Sequence, residues 1–167
     1  RQGFFRLREF TQAELQIFFN PGNIDKSEDW DGIKNYKLLL FLSKDRKSNE
    51  ITEISCEEAN KKLKIPKFYV YNLAKMQKFY LDSLKIPKDK IRFKELNQEE
   101  RAFYNKIHFD VEIYFDTLNG FKEVAGCHYR SDHDLKSHQE LSREKMEVLA
   151  DNKKIFPHVL ELSFGVD

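Results

Sequence analysis

A run of eight residues at 108–115, HFDVEIYF, alternates between apolar and polar side chains. This period of two is typical of a β-strand with one face in the core. Asn119 and Gly120 then give a turn signal, and 121–130 is predicted to return as the antiparallel partner strand. The residues predicted to face inward are Phe109, Val111, Ile113 and Phe115, and those predicted to face outward are Asp110, Glu112 and Tyr114.

The rest of the chain divides into strands and helices that do not alternate as βαβ units. Strands are predicted over 4–10, 36–43, 50–55, 90–96 and 156–166. Helices are predicted over 11–19, 55–63, 67–84, 97–104 and 132–149, the first two opened by the capping boxes Thr11–Glu14 and Ser55–Glu58. Hairpins combined with long helices favour an α+β fold, an antiparallel β-sheet with flanking helices.

The strand predicted at 4–10 carries a candidate anion-binding surface. Its period of two places Arg6, Arg8 and the two terminal phenylalanines, Phe4 and Phe10, on one face. Arg6 and Phe10 are separated by roughly 13 Å at the rise of a strand, which is close to the length of a nucleoside triphosphate. Taken alone, the stretch favours a simpler interpretation, an exposed edge strand whose arginines are solvated.

The composition is that of a globular domain in a reducing compartment. The chain has 167 residues, of which 40% are hydrophobic and 14% aromatic, so it is long enough for one domain with a core. Its apolar run at 38–42 is too short to span a bilayer. The two cysteines, Cys56 and Cys127, do not suggest a disulfide framework, and we expect a cytoplasmic protein. The histidines and cysteines lack the spacing of a zinc site.

Charge is unevenly distributed along the chain, although the net charge is only +1. The segment 61–96 holds eleven Lys and Arg residues against three Asp and Glu residues. Two interpretations stay open, contact with a polyanion and a solvated lysine-rich surface.

Four stretches of the sequence resemble one enzyme family. The pattern Arg6-x-x-x-Phe10 resembles the second half of motif 2 of the class II aminoacyl-tRNA synthetases. The longer run RQGFFRLREFTQAELQIFFNP is similar to the glycyl-tRNA synthetases of the archaeal and eukaryotic type. Later stretches match the same family in order: YKLLLFLS through KIPKDKIRF, FKEVAGCHYRSDHDLKSH, and FPHVLELSFGVD. The resemblance covers essentially the whole chain and implies the fold of a class II catalytic core.

The resemblance implies a binding site for ATP. It assigns catalytic roles to Arg6 and Glu123, and ATP contacts to Arg6, Leu7, Phe10, Glu123 and Val124. Glu123 would contact ATP or hold its Mg²⁺, because Mg²⁺ is usually bound by one or two carboxylates, with phosphates and water completing the shell. From the residues alone, a lone carboxylate on a strand is more often solvated or paired with a lysine.

The strand that carries Glu123 leads to two structural predictions. By its period of two, Glu123 should point to the same face as Phe121, Ala125 and Cys127. Gly126 lacks a side chain and should allow a ligand to approach the backbone closely.

The resemblance also implies a pocket for glycine, formed by Glu14, Arg130, Glu161 and Ser163. Glu161 and Ser163 share one strand face and can address the same ligand. Glycine must be recognised through its charged ends, and a buried ammonium needs carboxylates and other acceptors around it. Two alternatives stay open: Glu14 as the N3 residue of a capping box, and Arg130 in a surface salt bridge with Asp132 or Asp134.

The function implied by the resemblance is that of a glycine–tRNA ligase. Such an enzyme uses ATP to convert glycine to glycyl-adenylate and transfers the glycyl group to the 3′ end of tRNA(Gly). The implied partners are ATP with Mg²⁺, glycine and tRNA(Gly), in a cytoplasmic homodimer that is not bound to a membrane. Two alternatives stay open, a catalytically inert synthetase-like module that binds nucleic acid and a class II synthetase for another amino acid. Whether the segment 61–96 touches tRNA is also left open.

The same resemblance predicts the domain organisation. Residues 1–167 would form a single catalytic-core fragment, in which about 20–90 is an insertion with a hairpin and a long helix. Motif 1, the first half of motif 2, the end of motif 3 and the anticodon-binding domain are expected to lie outside it. The isolated chain is therefore predicted to be inactive, because it lacks one arginine of motif 2 and one of motif 3.

Overall fold

The computed structural model describes residues 9–27 and 29–166, and its largest element is a seven-stranded sheet. The strands of this part of the chain are β1 (Gln12–Phe19), β2 (Lys37–Phe41), β3 (Thr52–Ser55), β4 (Ile91–Glu95), β5 (Ile107–Phe115), β6 (Gly120–Ser131), β7 (Val148–Ala150), β8 (Lys153–Ile155) and β9 (His158–Gly165). The large sheet has the order β1-β9-β6-β5-β4-β2-β3, and β7 pairs with β8 in a separate sheet. Neighbouring strands are antiparallel except for β2 and β4, which are parallel, so the predicted antiparallel sheet is confirmed in all strand pairs but one.

Helices accompany this sheet at four places in the described residues. They are α1 (Trp30–Ile33), α2 (Cys56–Leu63), α3 (Lys67–Lys78) and α4 (His133–Ser142). The capping box predicted for α2 is confirmed, since the Ser55 hydroxyl accepts from the Glu58 N–H at 3.2 Å and Glu58 Oε2 accepts from the Ser55 N–H at 3.3 Å. A π-helical turn over Phe79–Ser83 extends α3, in agreement with the long helix predicted there. Among the described residues, no helix is both long and apolar enough to cross a membrane.

The segment that follows Thr11 is a strand, and the helix predicted over 11–19 is wrong. β1 pairs antiparallel with β9 over its whole length, from Gln12 opposite Gly165 to Phe19 opposite His158. The capping box predicted for Thr11 and Glu14 is therefore wrong as well. The local sequence suits a helix, but pairing with β9 satisfies backbone hydrogen bonds along the strand and packs one side of β1 against the core.

Three other predicted elements differ from the structure. Residues 97–104 form turns and no helix, with Asn97 Oδ1 accepting from the N–H groups of Glu99 and Glu100 at 2.9 and 3.1 Å. Of the helix predicted over 132–149, only α4 is helical. The strand predicted over 4–10 lies outside the described residues except for Glu9 and Phe10, which are not in a strand.

One face of the large sheet is apolar and packs against α3. Its buried side chains include Leu40, Phe93, Phe109, Val111, Cys127, Leu160 and Leu162. The Tyr69 hydroxyl of α3 donates to the Cys127 carbonyl at 2.6 Å. Buried Gln77 accepts from the Leu39 N–H and donates to the Lys37 carbonyl, both at 2.8 Å. The helix is therefore fixed to the sheet by packing and by buried hydrogen bonds.

The alternation predicted for β5 is confirmed, but its polar side is not solvated. Phe109, Val111 and Ile113 lie in the core as predicted. Asp110 and Glu112 point to the opposite face, yet they are only 5% and 7% exposed. At β5 this second face is therefore polar and largely covered.

Candidate functional site

The polar face brings predicted site residues together on neighbouring strands. Directly opposite residues of an antiparallel pair lie on the same face. The register of β1 and β9 sets Glu14 opposite Ser163 and Gln16 opposite Glu161. β6 and β5 continue the same face on the other side of β9. Three of the four predicted glycine contacts, Glu14, Glu161 and Ser163, are thus neighbours on two strands.

Glu161 is the most enclosed acid of this group, at 6% exposed. Its Oε1 accepts from Arg130 Nη1 at 3.2 Å, and its Oε2 accepts from Gln16 Nε2 at 3.1 Å. These donors compensate for the water that the carboxylate loses on burial. A carboxylate offers about four lone-pair sites, so Glu161 keeps the capacity to accept a further donor such as an ammonium group.

Arg130, the fourth predicted glycine contact, bridges two carboxylates. Its Nε donates to Asp134 Oδ2 at 2.7 Å, in addition to the contact of Nη1 with Glu161. The guanidinium also lies 4.6 Å from the ring centre of Tyr104. The hydrogen bond to Asp134 is the main cause of the raised Arg130 pKa. Arg130 therefore forms the salt bridge to Asp134 that was left open as an alternative, and it also contacts Glu161 of the candidate site. Asp132, the other possible partner, pairs with Lys136 instead.

Glu14 and Ser163 complete the group from opposite strands. Glu14 is exposed on β1, which lies at an edge of the sheet. Ser163 is partly buried, and its Oγ lies 3.1 Å from His128 Nε2. Opposite side chains in an antiparallel pair have Cβ atoms about 4.5–5.5 Å apart, so a small cation can reach acceptors from both strands.

Sequence reasoning missed two residues of this face, Gln16 and His128. Gln16 was assigned to a helix, although Leu15, Ile17 and Phe19 have the period of two that indicates a strand. His128 is predicted only not to be a zinc ligand, because the histidines lack the spacing of a zinc site. Its role depends on neighbours that are distant in sequence and carry no local signal.

Two imidazoles lie side by side next to Ser163. The ring centres of His108 and His128 are 4.1 Å apart, and His108 Nε2 lies 2.9 Å from Asp110 Oδ1. Asn105 Nδ2 lies 3.4 Å from His108 Nδ1 and 3.5 Å from His128 Nδ1. Burial, and secondly the charge of His108, lowers the pKa of His128 to about 4. His128 is therefore neutral near pH 7.

A second polar cluster lies on β4, β5 and β6. Glu112 accepts from Arg92 Nε at 2.7 Å, and Lys94 Nζ lies 3.5 Å from its other oxygen. The Arg92 guanidinium lies between the rings of Phe41 and Phe121, 4.0 Å from each ring centre. Because Glu112 already has two cationic partners, this cluster is a buried ion-pair network within the sheet.

A β-bulge at Val124 reverses the predicted orientation of Glu123. The register changes at this point, so that Glu123 lies opposite Glu112 while Ala125 lies opposite Val111. Glu123 therefore points to the polar face, and Ala125 points to the core. The prediction that Glu123 shares a face with Phe121 is confirmed, since these residues lie opposite Glu112 and Tyr114. The prediction that it shares a face with Ala125 and Cys127 is wrong, because one extra residue shifts a period of two by one step.

The charge environment of Glu123 suits a cation. Glu123 is exposed as a residue, but the pKa of its carboxyl group is raised, first by partial loss of hydration and then by the nearby Asp110 carboxylate. A bound cation would relieve both effects, which agrees with the predicted contact to the Mg²⁺ of ATP. In the described part of the chain, no three His, Cys, Asp or Glu residues are arranged to hold a metal ion. The Mg²⁺ contact of Glu123 and the ATP contacts of Glu123 and Val124 stay predictions.

The remaining predicted ATP contacts precede β1. Arg6 and Leu7 lie outside the described residues. Phe10 is 63% exposed, and the carbonyl of the next residue, Thr11, accepts from the Val166 N–H at 3.0 Å. Phe10 therefore lies at the end of the β1–β9 pair that carries the glycine contacts, and its contact with ATP stays a prediction.

The basic segment 61–96 is largely engaged in pairs. Six of its cations contact carboxylates: Lys61, Lys62, Lys88, Lys90, Arg92 and Lys94. In this part of the structure Lys75 and Lys78 lie over the rings of Tyr71 and Tyr36. These contacts favour the interpretation of a structural and solvated surface.

Comparison with known proteins gives a consistent result. No protein-family model matches the chain. The chain is 41% identical over 151 residues to the glycine–tRNA ligase of Pyrococcus abyssi, 40% over 171 to that of Thermococcus gammatolerans, and 31% over 174 to that of Methanococcus vannielii. These alignments cover 89%, 99% and 98% of this chain but only 26%, 29% and 30% of the respective relatives. The chain thus spans under a third of their length, and the resemblance seen in the sequence is confirmed.

Proposed function

We propose that this chain, a homologue of one segment of archaeal glycine–tRNA ligases, is part of the catalytic core of a class II synthetase specific for glycine. The glycine carboxylate attacks the α-phosphate of ATP, which gives glycyl-adenylate and pyrophosphate. The glycyl group then passes to the 3′ end of tRNA(Gly). The substrates are ATP with Mg²⁺, glycine and tRNA(Gly), and the whole protein is a cytoplasmic homodimer.

The observation that carries this proposal is the buried Glu161, with Ser163 on the same strand face and Glu14 on the neighbouring strand. An ammonium group has three N–H donors and a positive charge. Two carboxylates and one hydroxyl match that number of donors and neutralise the charge. An amino acid without a side chain gives a protein no other group to bind, so this acceptor set would be the main source of affinity for glycine.

Arg130 orients Glu161 in this proposal. Its guanidinium is fixed by Asp134 and Tyr104, so the contact to Glu161 is made by a side chain that is already ordered. It also adds positive charge beside the negatively charged substrates. The substrate carboxylate is itself the nucleophile, and the protein contributes position and charge, as in phosphoryl transfer generally.

The first test is amino-acid-dependent ATP–pyrophosphate exchange by the natural protein that contains this chain. Exchange with glycine alone supports the proposal. Exchange with another amino acid instead would assign the chain to a synthetase of different specificity. No exchange with any amino acid would favour a catalytically inert module that binds nucleic acid.

A second test is the substitution Glu161→Ala in the same protein. Loss of a charged acceptor should raise KM for glycine by about 10- to 100-fold, the factor expected for one charge-assisted hydrogen bond. KM for ATP should change much less. Glu53→Ala, which removes an exposed carboxylate paired with Lys88, is the matched control. Equal losses for glycine and ATP would remove Glu161 from the ammonium site.

A further inference from the structure

His128 occupies the space above Gly126 and contacts Ser163. A Cβ atom added to Gly126 would lie 2.3 Å from His128 Nε2 and 2.9 Å from its Cε1. The same Nε2 atom lies 3.1 Å from Ser163 Oγ. Because Gly126 has no side chain, the imidazole of His128 fits against its backbone. The space that the sequence predicts for a ligand is therefore occupied by His128. The imidazole of His128 in turn contacts the hydroxyl of Ser163.

The ring of His128 is held from its other side. His108 packs against it, and the amide of Asn105 lies close to Nδ1 of both imidazoles. Asn105 is buried, and its Oδ1 has no hydrogen-bond partner among the described residues. This amide can turn its oxygen toward the rings and accept from an Nδ1–H group, since its two ends are similar in size.

We propose that His128 is a positioning residue, which accepts the hydroxyl proton of Ser163 in a hydrogen bond and so directs the oxygen lone pairs toward the ammonium group of glycine. This inference rests on the proposed function of Glu14, Glu161 and Ser163. His128 itself does not touch the substrate.

The hydrogen-bonding capacity of a serine hydroxyl limits how Ser163 can accept from an ammonium group. The group has one proton and two lone pairs, and an ammonium group needs a lone pair. A hydroxyl whose proton points toward the substrate would repel the ammonium, so the proton must be held elsewhere. The neutral ring of His128 accepts the Ser163 proton at Nε2 when the proton of the ring is on Nδ1 and is donated to Asn105 Oδ1.

The test is a set of substitutions in the natural protein that contains this chain, assayed by glycine-dependent ATP–pyrophosphate exchange. His128→Ala should raise KM for glycine about five- to tenfold, as expected for one neutral hydrogen bond, and leave KM for ATP nearly unchanged. His128→Gln places an amide near the position of Nε2 and should restore much of the loss. His138→Ala, at an exposed position of α4, is the matched control and should have no effect.

Two further variants distinguish positioning from a general structural role. Gly126→Ala displaces the imidazole from the opposite side and should reproduce the KM change of His128→Ala. The double variant His128→Ala/Ser163→Ala should bind glycine no more weakly than Ser163→Ala alone, because His128 acts through Ser163. Independent, multiplicative losses in the double variant would overturn the proposal.

The proposed function and the role of His128 are tested separately by these measurements. If the unmodified protein shows no exchange with glycine, the proposed function is wrong and the role of His128 falls with it. If exchange with glycine is normal and His128→Ala leaves KM for glycine unchanged, or raises both KM values equally, only the role of His128 is overturned.

Discussion

Both faces of the large sheet hold buried side chains, but these are stabilised by different means. On β9, Leu160 is 1% exposed and packs in the apolar core, while its neighbour Glu161 is 6% exposed on the polar face. Leu160 is held by packing with hydrocarbon from the sheet and the helices. Glu161 is held by donors from Gln16 and Arg130, which are distant in sequence. Burial alone therefore does not distinguish the residues that build the fold from those that build the site.

The difference has a physical consequence for substitution. Truncation in an apolar core lowers the free energy of unfolding by the transfer free energy of the removed atoms and by a further amount that grows with the cavity left behind. A polar network responds to the loss of a specific partner, because the remaining group stays buried without compensation. The polar face should thus tolerate exchanges that keep hydrogen bonding, and the apolar face should tolerate exchanges that keep volume.

The largest effect is expected from truncation on the apolar face. Leu160→Ala should lower the free energy of unfolding by about 2–5 kcal/mol, measured by urea denaturation, because a cavity is left in the core. Leu141→Ala, on the exposed side of α4, removes the same atoms and should have little effect. A change of less than 0.5 kcal/mol (about the scatter of surface substitutions) for Leu160→Ala would contradict the assignment of this face as the core.

A smaller effect is expected from loss of one charge in the polar network. Glu112→Gln leaves Arg92 and Lys94 without their shared partner in a nearly buried environment, and should cost about 3 kcal/mol of unfolding free energy. The control is Glu57→Gln, which breaks a solvent-exposed pair with Lys61 and should have a far smaller effect, because exposed pairs are screened by water. Similar costs for the two substitutions would show that the polar face is as well hydrated as the outer surface.

The sequence predicted the fold best where the signal is local. The β5–β6 hairpin has a strict alternation and a turn pair, and α2 has a capping box, so both were found with nearly correct bounds. β1 was mistaken for a helix because Thr11 and Glu14 fit a helix start, and only the pairing with β9 decides between the two structures. Pairing between the ends of a chain has no local signal.

The candidate site shows the same limit. Glu161 and Ser163 were placed on one face from periodicity, and this prediction is confirmed by the register of β9. The position of Glu14 opposite Ser163, by contrast, follows from β1 being a strand. The orientation of Glu123 depends on a bulge, which adds one residue without a recognisable sequence pattern.

The smallest expected effect concerns the pH dependence of stability on the polar face. The pKa of His128 is lowered to about 4, from an ordinary value near 6.5. The unfolded chain therefore binds more protons than the folded one between these values, and stability should fall as the pH is lowered through this window. The unmodified protein should lose stability between pH 7 and pH 5. His128→Gln should make this loss smaller by about 1–2 kcal/mol of unfolding free energy, as measured by urea denaturation at each pH.

In this pH range the contribution of His128 to stability can be distinguished from those of the acids with the lowest pKa values. Glu58 and Glu100 have pKa values lowered to about 2 by Lys62 and Arg46, so their contributions are lost mainly below pH 5. His158, whose pKa is also lowered by burial, remains in the variant and contributes equally to both proteins. His138→Gln, at an exposed position, should leave the pH dependence unchanged. If His128→Gln leaves it unchanged too, the imidazole is accessible to protons in the folded state, and the polar face is not closed around Ser163.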